Sequence, residues 1–174
     1  MALSPTRPHV GEAFGLPLRG GWPRAVSGEP PAPRSTAPTS SVSMPFMPHR
    51  SRLSILLLDL PPDLHGAGSA FWAGATGRPA VPDPTDGNWA SLGSFADGWH
   101  VEIQQTGAGT LPRWHVDIET DDIPAEVARL EGLGATRHRD MGSFWQMLDP
   151  AGLVFCVVGI QTGEEFDRHA VTWA

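Results

Sequence analysis

The 174-residue chain has no lysine and no tyrosine, so its 12 basic residues are all arginine. Its one cysteine, Cys156, excludes an intramolecular disulfide framework and an all-cysteine zinc knuckle. No apolar run approaches the roughly 20 residues of a membrane span, or the core of a signal peptide. The expectation is a cytoplasmic protein with no membrane partner. Basic clusters are missing from most of the chain. Residues 1–52 carry six arginines against Glu12 and Glu29, whereas 53–174 carry six against seventeen acids, so the net charge of −7 divides into +4 and −11. Neutralising phosphates requires clustered arginine or lysine, so the acidic part argues against nucleic acid as a partner.

What is present falls into two kinds of text. Residues 1–50, with PPAPRSTAPTSSVSMP, hold too little apolar surface to offset the entropy of ordering, and are expected to be a disordered Pro/Ser/Arg-rich tail. Two alternatives stay open for that segment: a transit peptide, which the prolines oppose, or a true start at Met44 or Met47. From Leu53 onward, strand and helix signals alternate. LSILLLDL reads as a buried strand ended by Pro61-Pro62, and Asp63 precedes the weak helix LHGAGSAFWAGATG. NWASLGSF and WHVEIQQ are strands around the turn Ala96-Asp97-Gly98. The order then repeats. RWHVDIET is a strand, Asp122 caps a helix whose apolar face is Ile123, Val127, Leu130 and Leu133, and Gly134 stops it. A polar strand around Thr136–Arg139, SFWQML, the turn Asp149-Pro150-Ala151-Gly152 and LVFCVV follow.

The fold class this implies is α+β: two tandem βαβββ modules, about 53–106 and 113–160, making a curved, partly closed mixed sheet with outer helices. The domain is expected over 51–162, with 163–174 as a C-terminal tail. Alternation places His100, Glu102 and Gln104 on one face of WHVEIQ, and His115, Asp117 and Glu119 on one face of WHVDIE. Val116 and Ile118 are left to pack under the second helix. The polar triplets then line either a wet concavity or a plainly solvated sheet face.

The paired modules, HVDIETDDIPAEVARLEGLGAT and the WQMLDPAGLVFCVVG ending resemble the vicinal oxygen chelate superfamily, and within it the glyoxalase-like and bleomycin-resistance-like proteins. That resemblance covers about residues 52–160. It implies a cup between the modules whose metal ligands come from the first and last strands of each. His115 and Glu102 stand at two of those positions. The other two are departures: Leu56, or Ile55 with one extra turn residue, in the first strand, and Cys156 in the last. Glu102 and His115 are two ligands where a catalytic divalent ion usually takes three. The candidates for a third are Cys156 as a zinc thiolate or, through a shifted register, Gln104, His100 or Asp117. A lone cysteine between Phe155 and Val157 is, however, more often a small buried hydrophobe. The expected function is therefore binding of a small molecule, aromatic ones included, without a metal or other cofactor. The expected cavity lining is His100, Gln104, Trp145 and Cys156. If chemistry occurs, His115, Glu102 and Asp117 are the catalytic candidates, with His115 the best general base. The alternative is a metal-dependent lyase or dioxygenase whose divalent ion is held by Glu102 and His115. A homodimer is expected on the resemblance.

Overall fold

The computed structural model describes residues 48–174. Among them lie nine strands and three α-helices. The first module contains β1 (His49–Leu60), α1 (Pro62–Thr76), β2 (Val81–Pro82), β3 (Trp89–Ser94) and β4 (His100–Gln105), with a 3₁₀ turn at Ala96–Gly98. The second contains β5 (Arg113–Thr120), α2 (Ile123–Gly132), β6 (Thr136–Asp140), β7 (Trp145–Leu148) and β8 (Val154–Gly159). A further helix, α3 (Glu164–His169), and strand, β9 (Val171–Trp173), follow. The α+β tandem expected from the sequence is the one formed.

All strands join one open mixed sheet in the order β2-β3-β4-β1-β5-β8-β7-β6, with β9 also pairing β1. Within each module the first and last strands run parallel, β1 beside β4 and β5 beside β8. The antiparallel β1–β5 pair joins the two halves. The first and last strands of both modules therefore occupy the centre of the sheet. Short turns and the hairpin strands lie outward.

One face of the sheet is apolar and carries α1 and α2. Leu58, Leu60, Ala90, Leu92 and Ile103 form a buried cluster against which Trp72 and Ala73 of α1 pack. Val127 and Leu130 of α2 pack on Met147, Phe155 and Val157, with Val116, Ile118 and Trp145 alongside. Burying each such side chain contributes about 1.5–3 kcal/mol. Asp122 caps α2 as expected, accepting from Ala125 N at 2.9 Å. Leu133 was expected on the apolar face of α2, but the helix ends at Gly132 and Leu133 is 67 % exposed. In α1, Gly68 has a packing reason: a Cβ there would sit 2.5 Å from Leu60 Cδ1. Asp63 lies in the first turn of α1 and is not its cap, a place held by Pro61.

The ordered chain extends past both boundaries drawn from the sequence. β1 begins at His49, within the segment read as tail, because Arg50 N donates to Asp121 Oδ1 at 2.7 Å and His49, Arg50 and Ser51 pair with β9. The remainder of that tail, residues 1–47, lies outside the described residues. Beyond 162, Phe166 of α3 is fully buried, and Trp173 Nε1 donates to Ser51 Oγ at 2.7 Å. Arg129 stacks on the Trp173 ring at 3.8 Å and makes two 2.7 Å bonds to Glu126. Glu126 is fully buried and also meets His49 Nε2 at 2.8 Å. Burial would raise the Glu126 pKa, but the bonds from Arg129, His49 and Ser51 outweigh it and hold it below the usual carboxylate value.

Candidate functional site

A bulge in β1 decides which residues meet on the second, concave face. Arg52 pairs with Glu119 and Leu53 with Ile118, but the next pair is Ile55 with Asp117, so Ser54 is the extra residue. The alternation resets there. Arg52 lies before the bulge on the concave face, and Ile55, Leu57 and Asp59 lie after it. Leu56 faces the helices instead, and with Val116 and Leu130 it lines an apolar cavity of about 370 Å³. The first-strand position that separates the two halves is therefore Leu57.

The strand registers stack the concave face in three rows. In the first, Ile55 lies between His100 and Asp117, and Asp117 pairs with Cys156, which pairs with Gln146. In the second, Leu57 lies between Glu102 and His115, and Ser91 pairs with Glu102. In the third, Asp59 lies between Gln104 and Arg113, and Trp89 pairs with Gln104. The expected polar faces of β4 and β5 thus share one surface. Glu102, Gln104, His115, Asp117 and Cys156 are all buried there, and His100 is half-buried. Trp145 is placed differently: it packs with Met147 under α2, and Gln146 takes the concave side of β7.

His115 stands at the centre of the charge. Its Nδ1 lies 3.0 Å from Asp59 Oδ2, and its Nε2 lies 3.5 Å from Asp117 Oδ1. Burial alone would lower its pKa, yet contacts to Asp117, Asp59 and Cys156 prevail and push it up to about 12. Burial pushes the Cys156 thiol up to about 11, opposed by His115 and reinforced by Asp117 and Asp59. Without a further cation, His115 is an imidazolium between two carboxylates. In that form it donates to the carboxylates, and Asp117, on the same face two residues on, is among the groups that raise its pKa. Asp59 also accepts from Arg113 Nε at 2.8 Å. The sequence reading passed over Asp59; the signal was an acid inside the apolar run LSILLLDL, since a buried carboxylate needs partners.

The pair Glu102 and His115 does not converge. Leu57 stands between them, two strand spacings apart at about 4.8 Å each, and Glu102 accepts from Ser91 Oγ at 3.0 Å. Among the described residues, the ligand atoms that do converge are those of His115, Asp117 and Cys156, all within 4.8 Å of one another. Asp117 Oδ1 and Gln146 Nε2, both buried, make no hydrogen bond of good geometry among the described residues. One carboxylate at the far end, Glu119, is structural. Glu119 accepts from Gln161 N at 2.7 Å, Thr162 N at 2.9 Å and Thr162 Oγ1, and lies 3.6 Å from Arg52 Nε. Arg52 in turn donates to the Glu165 and Gly98 carbonyls. This network pins α3 and the 3₁₀ turn to the sheet.

Paired βαβββ modules joined through β1 and β5, with a polar concave face where their first and last strands meet, define the vicinal oxygen chelate superfamily. Within it, the chain belongs to the glyoxalase-like domain family, whose model matches residues 56–158. No curated protein matches. Similar solved structures include a Mn(II)-bound glyoxalase from Novosphingobium aromaticivorans, at 21 % identity and TM-score 0.44. That match covers 64 % of this chain but 40 % of the other. A methylmalonyl-CoA epimerase from Mycobacterium tuberculosis matches at 13 % identity and TM-score 0.40, over 62 % of this chain and 86 % of that one. An NAD-dependent benzaldehyde dehydrogenase from Legionella pneumophila matches at 7 % identity and TM-score 0.45, over 60 % and 98 %.

Proposed function

We propose that this chain binds a small, polar, aromatic molecule on the concave face, against the cluster around His115. The observation that carries the reading is the burial of Asp59, Glu102, His115 and Asp117 on one surface at the module junction. Buried charges cost free energy that an apolar core would not, and perturbed pKa values gather where ligands are handled. Asp59, Glu102 and Asp117 accept hydrogen bonds, whereas Arg113 and His115 donate them, so the face suits a ligand bearing hydroxyl or amine groups. Trp89 supplies a flat half-buried surface in the same row as Asp59. Isothermal titration of chelator-treated protein with a panel of catechols, aromatic amines and hydroxylated heterocycles tests this. At least one compound is expected to bind saturably and to lose binding in Asp117→Asn. A panel without binders, or binding untouched by that substitution, contradicts it. The proposal includes a cytoplasmic protein acting as a homodimer, for which light scattering at twice the chain mass is the check. No helix among the described residues is long and apolar enough to cross a membrane.

A second reading is favoured by one observation, the convergence of His115, Asp117 and Cys156. Three protein donors with room for one more is the pattern of a catalytic divalent site. The buried Asp117 Oδ1, with no well-formed hydrogen bond, fits such an ion. A bound ion supplies Lewis acidity to a substrate oxygen. Asp59 would hold the His115 ring and Leu57 shield its flank, while Glu102, two strand spacings from His115 across Leu57, is the next carboxylate in that row. In this reading the protein is a metal-dependent lyase or dioxygenase, with a ligand set moved from Glu102 to Asp117 and Cys156. Metal analysis of protein purified without chelator separates the readings: one equivalent of a divalent ion supports the enzyme, and a content far below that supports the metal-free binder.

A further inference from the structure

We propose that His115 Nε2, a carboxylate oxygen of Asp117 and the Cys156 thiolate together hold a borderline-soft divalent ion of the zinc and cobalt class. This inference rests on the metal-dependent reading and names the ion class that its donors select. Cys156 and Asp117 are register partners on β8 and β5, and His115 lies two residues before Asp117 on the same face. Their ligand atoms fall within 4.8 Å of one another, close enough for one tetrahedral ion to bridge with small rotamer changes. The ring is already oriented for this. Asp59 Oδ2 sits 3.0 Å from Nδ1, a carboxylate behind the ring that favours the proton on Nδ1 and leaves Nε2 on the side of Asp117. Gln146 lies beside Cys156 in the same row, its buried amide nitrogen without a hydrogen-bond partner among the described residues.

The donors set the preference. A thiolate with an imidazole suits zinc or cobalt, whereas manganese and magnesium prefer oxygen-rich shells. Leu57 gives the first module no donor beside His115, and Glu102 is held by Ser91 across it, so the site lacks the oxygen ligands a hard ion needs. On binding, His115 gives up its Nε2 proton and Cys156 its thiol proton to solvent, and the ion takes over the charge that balances Asp59 and Asp117.

Cobalt titration of the chelator-stripped full chain tests the donor set directly. Cys156 is the single cysteine, so any thiolate-to-cobalt charge-transfer band belongs to it. The expected result is such a band in the near ultraviolet, saturating at one equivalent and removed by zinc, while manganese at equal concentration leaves it unchanged. Asp117→Asn is expected to weaken zinc at least tenfold, and Asp59→Asn about 10- to 100-fold, because the His115 ring loses the carboxylate that orients it. Circular dichroism confirms that each variant is folded. Should cobalt bind with visible bands but no thiolate band, or manganese bind more tightly than zinc, the donor set is overturned while the metal reading stands. Absence of uptake of cobalt, zinc and manganese alike overturns both and leaves the metal-free binder.

Discussion

Replacing His115 with glutamine removes the cation between Asp59 and Asp117, and the consequence is sharpest in how stability depends on pH. In the metal-free protein the His115 pKa is raised from 6.5 to about 12. A raised folded-state pKa contributes stability that is fully present below the unfolded value and is lost as pH rises toward the folded one. Between those limits the unfolded chain has released a proton that the native state keeps. Stability then falls by about 1.4 kcal/mol per pH unit from this group. From about pH 6.5 to pH 8.5 the loss is about 2.3 kcal/mol, several degrees in Tm for a domain of this size. His115→Gln destabilises at every pH, because two buried carboxylates lose a partner, but its stability lacks this slope. Urea denaturation of chelator-stripped wild type and variant across that range gives the difference. Parallel profiles would refute the argument, since they would mean that His115 is not held as an imidazolium in the fold.

At the α2 side, Glu126→Gln is expected to cost about 3 kcal/mol in urea unfolding, as breaking one partner of a buried pair does. The folded Glu126 pKa is lowered, so its contribution is present above the usual carboxylate value and is lost as pH falls through the folded one. The variant should accordingly be less acid-sensitive between pH 5 and pH 3. Gly68→Ala gains helix propensity of about 1 kcal/mol but forces a methyl against Leu60 Cδ1. Overpacking of about 1–3 kcal/mol should prevail, giving a lower Tm by calorimetry. Removal of residues 171–174 deletes β9, the Trp173–Ser51 bond and the Arg129–Trp173 stack. Hydrogen exchange should then quicken at His49, Arg50 and Ser51 while β4 and β8 stay protected.

The sequence made the tandem legible because its signals are local and repeated. Alternation in WHVEIQ and WHVDIE identified the shared concave face, and Asp122 and Gly134 marked the limits of α2 to within a residue or two. The site was less legible, for reasons that lie in how strands meet. The bulge at Ser54 reverses the alternation of β1, and a run as uniformly apolar as LSILLL carries no mark of it. That reversal puts Leu57, not Leu56, between Glu102 and His115, and it brings Asp59 under the histidine. Trp145 and Gln146 are adjacent on β7, so which one reaches the cup depends on the pairing of β7 with β8. Periodicity alone does not fix that pairing. Glu126 carries no mark of burial in the sequence. Its partners, His49 and Arg129, become visible only when the chain ends fold back beside α2.

The claim that the concave cluster is the working surface is tested most directly by mapping binding on the backbone. Amide shifts in uniformly labelled protein, titrated with the tightest compound from the aromatic panel and again with zinc, locate the contact. The account predicts that the largest changes fall at His115, Asp117, Asp59 and Cys156. Changes centred on Leu130, Leu133 and Leu153, around the apolar cavity beside α2, would contradict it.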